Sequence, residues 1–137
     1  MGSVIEEEQL WFIVHPMSGN ITGNSKKVDK INLYYHTKTN VVPVFPSFTW
    51  RRYLLPDNPQ TKLLANKVNL HYFGWKQLKG VIICGPKLTD GGKREILLAL
   101  ASNKEVKFST RFSTAKLRME VCRFLASNYP KLKIGFI

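Results

Sequence analysis

Apolar positions along this chain fall into short runs whose period changes from one segment to the next. Leu10 to Val14 is a continuous apolar stretch of strand length. It is bounded by Pro16 and by a turn-rich segment through Asn24 containing Gly19-Asn20 and Gly23-Asn24, residues that accept positive φ. Ile31, Leu33 and Tyr35 alternate with Asn32, Tyr34 and His36, the period of a half-buried strand. Val41 to Phe45 is short and β-branched, and Pro43 removes a ladder donor, so an edge strand is expected there. Ser47 is placed to cap a short helix over 48–55, stopped by Pro56. Val68, Leu70 and Tyr72 alternate again and predict another strand, ended by Gly74.

The second half carries clearer punctuation. Gly80 opens the unbroken apolar run Val81 to Cys84, which suits a central strand buried on both faces, and Gly85-Pro86 closes it. Thr89 and Asp90 supply cap oxygens for a helix to Ser102, and Val106 and Phe108 mark a strand. Ser113 or Thr114 caps the longest helix, running to Tyr129 before Pro130. Leu132, Ile134 and Phe136 then alternate as a last strand. A strand, a helix and a strand in succession imply a crossover between parallel neighbours. The expected fold class is α+β: a single domain with a mixed sheet of six or seven strands and two or three helices. Residues 1–8 read as a flexible acidic tail and 9–137 as the single basic domain.

Composition adds limits. At 137 residues, 44% hydrophobic and 22% charged, the chain is long enough for one packed core and too apolar for disorder. No apolar run approaches the roughly 18 to 20 residues of a membrane-spanning helix. Glu6-Glu7-Glu8 stands where a secretory signal would be basic. Cys84 and Cys122 both lie in apolar segments, so reduced, buried thiols and an intracellular setting, cytoplasmic or nuclear, are expected.

Charge changes the picture most. The net charge is +12, unevenly spread: residues 1–29 hold four acids and two bases, and residues 30–137 hold 19 bases and 5 acids. Such a field favours phosphate backbones or anionic lipid. Trp50-Arg51-Arg52-Tyr53 sets two guanidinium groups among aromatic rings, and Trp75-Lys76 repeats the combination, as binders of single-stranded nucleic acid do. Lys87, Lys93 and Arg94 surround a segment from Gly85 to Gly92 that follows a strand and opens a helix, a context that holds phosphate on backbone amides. That segment is not a P-loop, because its glycines are too far apart and Arg94 replaces the hydroxyl that would ligate magnesium.

The leading expectation is a non-enzymatic protein that binds nucleic acid, RNA favoured, through Trp50, Arg51, Arg52, Tyr53, Trp75, Lys76, Lys87, Lys93 and Arg94, with no cofactor. A second class is a self-associating matrix-type assembly protein, homodimeric through Leu117, Arg118, Val121 and Leu125 on the wide apolar arc of the last helix, lying against a nucleocapsid or, less favoured, an anionic membrane. A third is a metal-dependent nuclease built on the PD…ExK-like set Asp57, Glu105 and Lys107. His15, His36 and His71 lack metal-ligand spacing and read as structural.

Overall fold

The structure, a computed structural model, describes residues 7–17, 21–46 and 59–137. Within them lie β1 (Gln9–Val14), α1 (Ile21–Lys38), β2 (Val41–Val44), α2 (Pro59–Phe73), β3 (Leu78–Gly85), α3 (Asp90–Ala101), β4 (Glu105–Ser113), α4 (Ala115–Leu125) and β5 (Gly135–Phe136). The five strands form one sheet in the order β2-β1-β3-β4-β5, and every neighbouring pair is parallel. The chain is therefore a single mixed α/β domain with four helices among the described residues, in place of the expected mixed sheet of six or seven strands.

Two expected strands are helices, and the reason is common to both. Periods of 2 and 3.6 both return to the same face at i+4, so a helix can mimic alternation over six residues. In α1, Val28, Ile31 and Tyr35 are buried at helical spacing, while Leu33, the middle member of the supposed strand, is 64% exposed. In α2, Phe73 is buried and Leu70 points to solvent. The edge strand broken by Pro43 and the central strand around Val81 to Cys84 are present as expected. The helix expected over 48–55 lies outside the described residues.

Right-handed crossovers decide where the helices go. The path from β1 to β2 moves one way along the sheet, and every later crossover moves the other way. Hence α1 covers one face, where Ile31 and Tyr35 pack on Trp11, Ile13, Ile82 and Cys84. The remaining helices cover the opposite face, where Phe73, Ile96, Ala99, Leu117, Val121 and Leu125 meet Phe12, Val14, Val81 and Ile83. Gly80 sits at a close approach: a Cβ there would collide with the Glu105 carbonyl and lie 2.9 Å from Cζ3 of Trp11.

β4 runs past the expected Phe108 and makes an excursion. Ile83 stands opposite Phe108, but Gly85 stands opposite Ser113, so one residue of β3 faces four of β4. The excursion is stitched internally: Ser109 Oγ accepts from the Phe112 amide at 3.0 Å, and Ser113 Oγ donates to the Ser109 carbonyl at 2.5 Å. The Tyr35 hydroxyl donates to the Ile137 carbonyl at 3.0 Å, leaving Ser109 to supply the proton of the 2.7 Å bond between their oxygens. Burial pushes the Cys84 thiol up to about 12, and Cys122, expected to be buried, is exposed.

α4 ends at Leu125, short of the expected Tyr129. Its apolar arc is covered by the chain itself: Leu117 is 1%, Val121 0% and Leu125 4% exposed, so none of these three is free for a second copy. Arg118 lies beside that arc and donates to the Ser113 carbonyl at 2.6 Å. Leu117→Ala is expected to destabilise the fold by about 3 kcal/mol through the cavity it leaves, measured by denaturant unfolding, with no change of molar mass in solution. A change of mass at unaltered stability would return Leu117 to an interface.

Candidate functional site

A parallel strand points its carboxyl end at the start of the following helix, so turns and helix N-termini collect at one edge of the sheet. Because the strand order reverses at β1, α1 leaves β1 on one face and α3 leaves β3 on the other. A crevice between those two departures is where doubly wound sheets take ligands. Its walls here are the end of β1 (Val14, His15, Pro16), the turn after β3 (Gly85 to Thr89), and the first turns of α1 and α3. Residues 18–20, which precede α1, and 47–58, which follow β2, lie outside the described residues.

His15 is 8% exposed. Its Nδ1 lies 2.7 Å from the Pro16 carbonyl, which can only accept, so Nδ1 carries the proton and Nε2 keeps the lone pair in the neutral ring. Burial holds its pKa below the ordinary 6.5, and the charge of Lys27 on α1 adds to the effect, against the opposing hydrogen bond to Pro16. The ring rests on Gly85, whose φ is +110°. A Cβ at Gly85 would lie 2.7 Å from Cδ of Pro16 and 3.3 Å from Cδ2 of His15, so this position needs glycine for its backbone and for the space it leaves.

Across the crevice, α3 starts hard against β1. A Cβ on the buried Gly92 would come within 3.3 Å of Val14 Cγ1 and Leu88 Cδ1. Thr89 caps the helix, its Oγ1 accepting from the Gly92 amide at 3.1 Å. The Asp90 carboxylate does not fold back over the remaining first-turn amides: its side chain is 90% exposed and lies 3.9 Å from Lys93 Nζ. Arg94 turns toward them, with Nη2 3.9 Å from where a Gly91 Cβ would sit. The turn after β3 is fastened from α4, since Thr114 Oγ1 donates to the Pro86 carbonyl at 3.1 Å and Glu120 accepts from the Leu88 amide at 3.4 Å.

Glu95 lies one turn beyond Gly92 on α3. Asn69 of α2 donates to its Oε2 at 3.3 Å. Burial raises its carboxyl to about 8, outweighing the opposing pull of Asn69 and Arg94. The α1 side of the crevice thus offers a neutral imidazole, and the α3 side a carboxyl that holds its proton near neutral pH. Environments that push two titratable groups in opposite directions are a feature of functional sites.

The residues anticipated for nucleic acid do not form one surface. Lys87, Lys93 and Arg94 stand at the carboxyl end of β3. Trp75 and Lys76 precede its amino end, on the order of 25 Å away along eight residues of strand. There Trp75 packs on Tyr72 with ring centroids 4.5 Å apart and accepts at its carbonyl from Lys104 Nζ at 2.6 Å. Trp50, Arg51, Arg52 and Tyr53 lie outside the described residues.

The nuclease set is divided as well. Glu105 begins β4 at the amino end and pairs with Lys79 at 3.4 Å, while Lys107 Nζ lies along Gly135. Asp90 is at the opposite edge and Asp57 is outside the described residues. Among the described residues, no three His, Cys, Asp or Glu side chains come together to hold a metal. Sequence reasoning treated His15 as structural and passed over Glu95. The signal within reach was that two apolar strands each end in a turn, His15-Pro16 and Gly85-Pro86.

Set against protein-family models, curated proteins and solved structures, the chain matches none of them.

Between its ordinary 4.5 and about 8, Glu95 is protonated in the folded chain and ionised in the unfolded one. Its contribution to stability is therefore complete below about pH 4.5 and lost as pH rises through about 8. Denaturant unfolding across that window is expected to show falling stability, and Glu95→Gln to flatten the fall. An equal slope in both proteins would place the titration elsewhere.

Proposed function

We propose that the domain binds a phosphate-bearing small molecule, of the nucleotide or sugar-phosphate class, at the carboxyl end of its sheet. The observation that carries this reading is the reversal of strand order at β1, which opens a crevice between the departures of α1 and α3. Amides at the start of α3 and the guanidinium of Arg94 are suited to a phosphate, which is stabilised by helix N-termini and by cationic donors. Lys87 and Lys93 add positive charge at the same edge, and a net charge of +12 raises the encounter rate with any anion.

Titration calorimetry with AMP and with ribose 5-phosphate tests it. Binding is expected for at least one of them, and Arg94→Ala should weaken it by about tenfold, the loss of one charge-assisted hydrogen bond. Unaltered affinity in Arg94→Ala would count against this placement of the phosphate.

A second reading keeps the nucleic-acid partner, RNA favoured, and rests on the 19 bases against 5 acids beyond residue 29. The two differ in salt dependence. A polymer contacted at several phosphates loses affinity steeply between about 50 and 200 mM salt, whereas a mononucleotide, with one or two phosphates engaged, loses far less. Fluorescence anisotropy with a labelled single-stranded RNA, run beside the calorimetry, separates them.

A further inference from the structure

The turn between β1 and α1 contains a buried group with half of its hydrogen-bonding capacity unused. His15 is more than nine-tenths buried, and its Nδ1 proton goes to the Pro16 carbonyl at 2.7 Å. Among the described residues, Nε2 has no partner. That nitrogen lies along Gly85, 3.5 Å from where a Cβ would stand, at the strand end where the two walls of the crevice meet. An imidazole held only for packing would be served equally well by an apolar ring, and one held only for the Pro16 bond would need one nitrogen.

We infer that His15 Nε2 is a specificity-determining acceptor of the crevice, reading a hydroxyl on the ligand and so selecting a sugar phosphate over a phosphate without hydroxyls. The inference rests on the phosphate-binding reading above and adds the chemistry of the ligand's other end. The two walls divide the work by charge. The lone pair of Nε2 repels a phosphate oxygen and accepts from a hydroxyl, while the α3 amides and Arg94 attract the phosphate. Lys27, on the α1 wall, disfavours a second proton on the ring, which keeps Nε2 an acceptor. A ligand spanning the crevice therefore carries its anionic end toward α3 and a hydroxyl toward α1. A site built around a buried acceptor discriminates sharply against an analogue that leaves it unpaired.

The test compares ribose 5-phosphate with methyl phosphate, which has the anion and no hydroxyl, by titration calorimetry on the full chain. Wild type is expected to prefer ribose 5-phosphate by about tenfold or more. His15→Asn retains an amide donor where Nδ1 stands and removes Nε2. It should bring the two affinities together while leaving that for methyl phosphate unchanged. His15→Gln, whose amide reaches the place of Nε2, should restore part of the preference. In wild type, the 15N resonance of His15 Nε2 should move on adding ribose 5-phosphate and stay in place with methyl phosphate, a readout that does not depend on any variant folding. Equal loss of both affinities in a folded His15→Asn, or an unmoved Nε2 resonance with ribose 5-phosphate bound, overturns the role of His15 and leaves the phosphate site standing. Absence of binding to either compound overturns both.

Discussion

A central parallel strand has to be covered on both faces, and β3 shows how much follows from that. Val81, Ile82 and Ile83 are fully buried, with alternate side chains pointing into two separate cores. Neither core can be closed by β-structure, because β3 already has β1 and β4 as hydrogen-bonded neighbours. Helices have to cover both sides, and right-handed crossovers allow that only if the chain changes direction along the sheet. The change falls at β1, and the crevice is its geometric result.

The turns at that edge are shaped by what cannot be there. Gly85 has no side chain, so Pro16 and the ring of His15 occupy the space. Gly92 has none either, so α3 begins in contact with the last valine of β1. Close packing of this kind brings polar groups out of water, and the burial that lowers the pKa of His15 raises that of Glu95. Packing and electrostatics at the crevice are in this sense one phenomenon: each group is displaced toward its neutral form by the neighbours that seat it.

Legibility in the sequence followed the range of the interactions involved. The cap at Thr89, the central strand after Gly80 and the edge strand broken by Pro43 were readable because each rests on a local rule. Ile31 to Tyr35 and Val68 to Tyr72 were misread because six residues cannot distinguish a period of 2 from one of 3.6. Only the solvent exposure of Leu33 and Leu70 resolves them. The excursion of β4 at 109–112 had no signal at all, since it is held by Tyr35 and Ile137, far away in the chain. For the site, the basic residues at 87, 93 and 94 were recognised with their helix start. His15 was seen but given no role beyond structure, because the meaning of a histidine after a strand depends on which strand lies beside it.

The amino-acid sequence by itself determined the positive field, the alternation of strand and helix in the second half, and the places where the chain must turn. These depend on composition, on caps and on the backbone freedom of glycine and proline, all of which act within a few residues. The tertiary structure alone decided that every strand is parallel, that the apolar arc of α4 faces its own sheet, and that His15 and Gly85 meet beside the start of α3. Those outcomes depend on strand order and crossover handedness, which couple residues some 70 positions apart, as His15 is from Gly85, and leave no periodic trace in the chain.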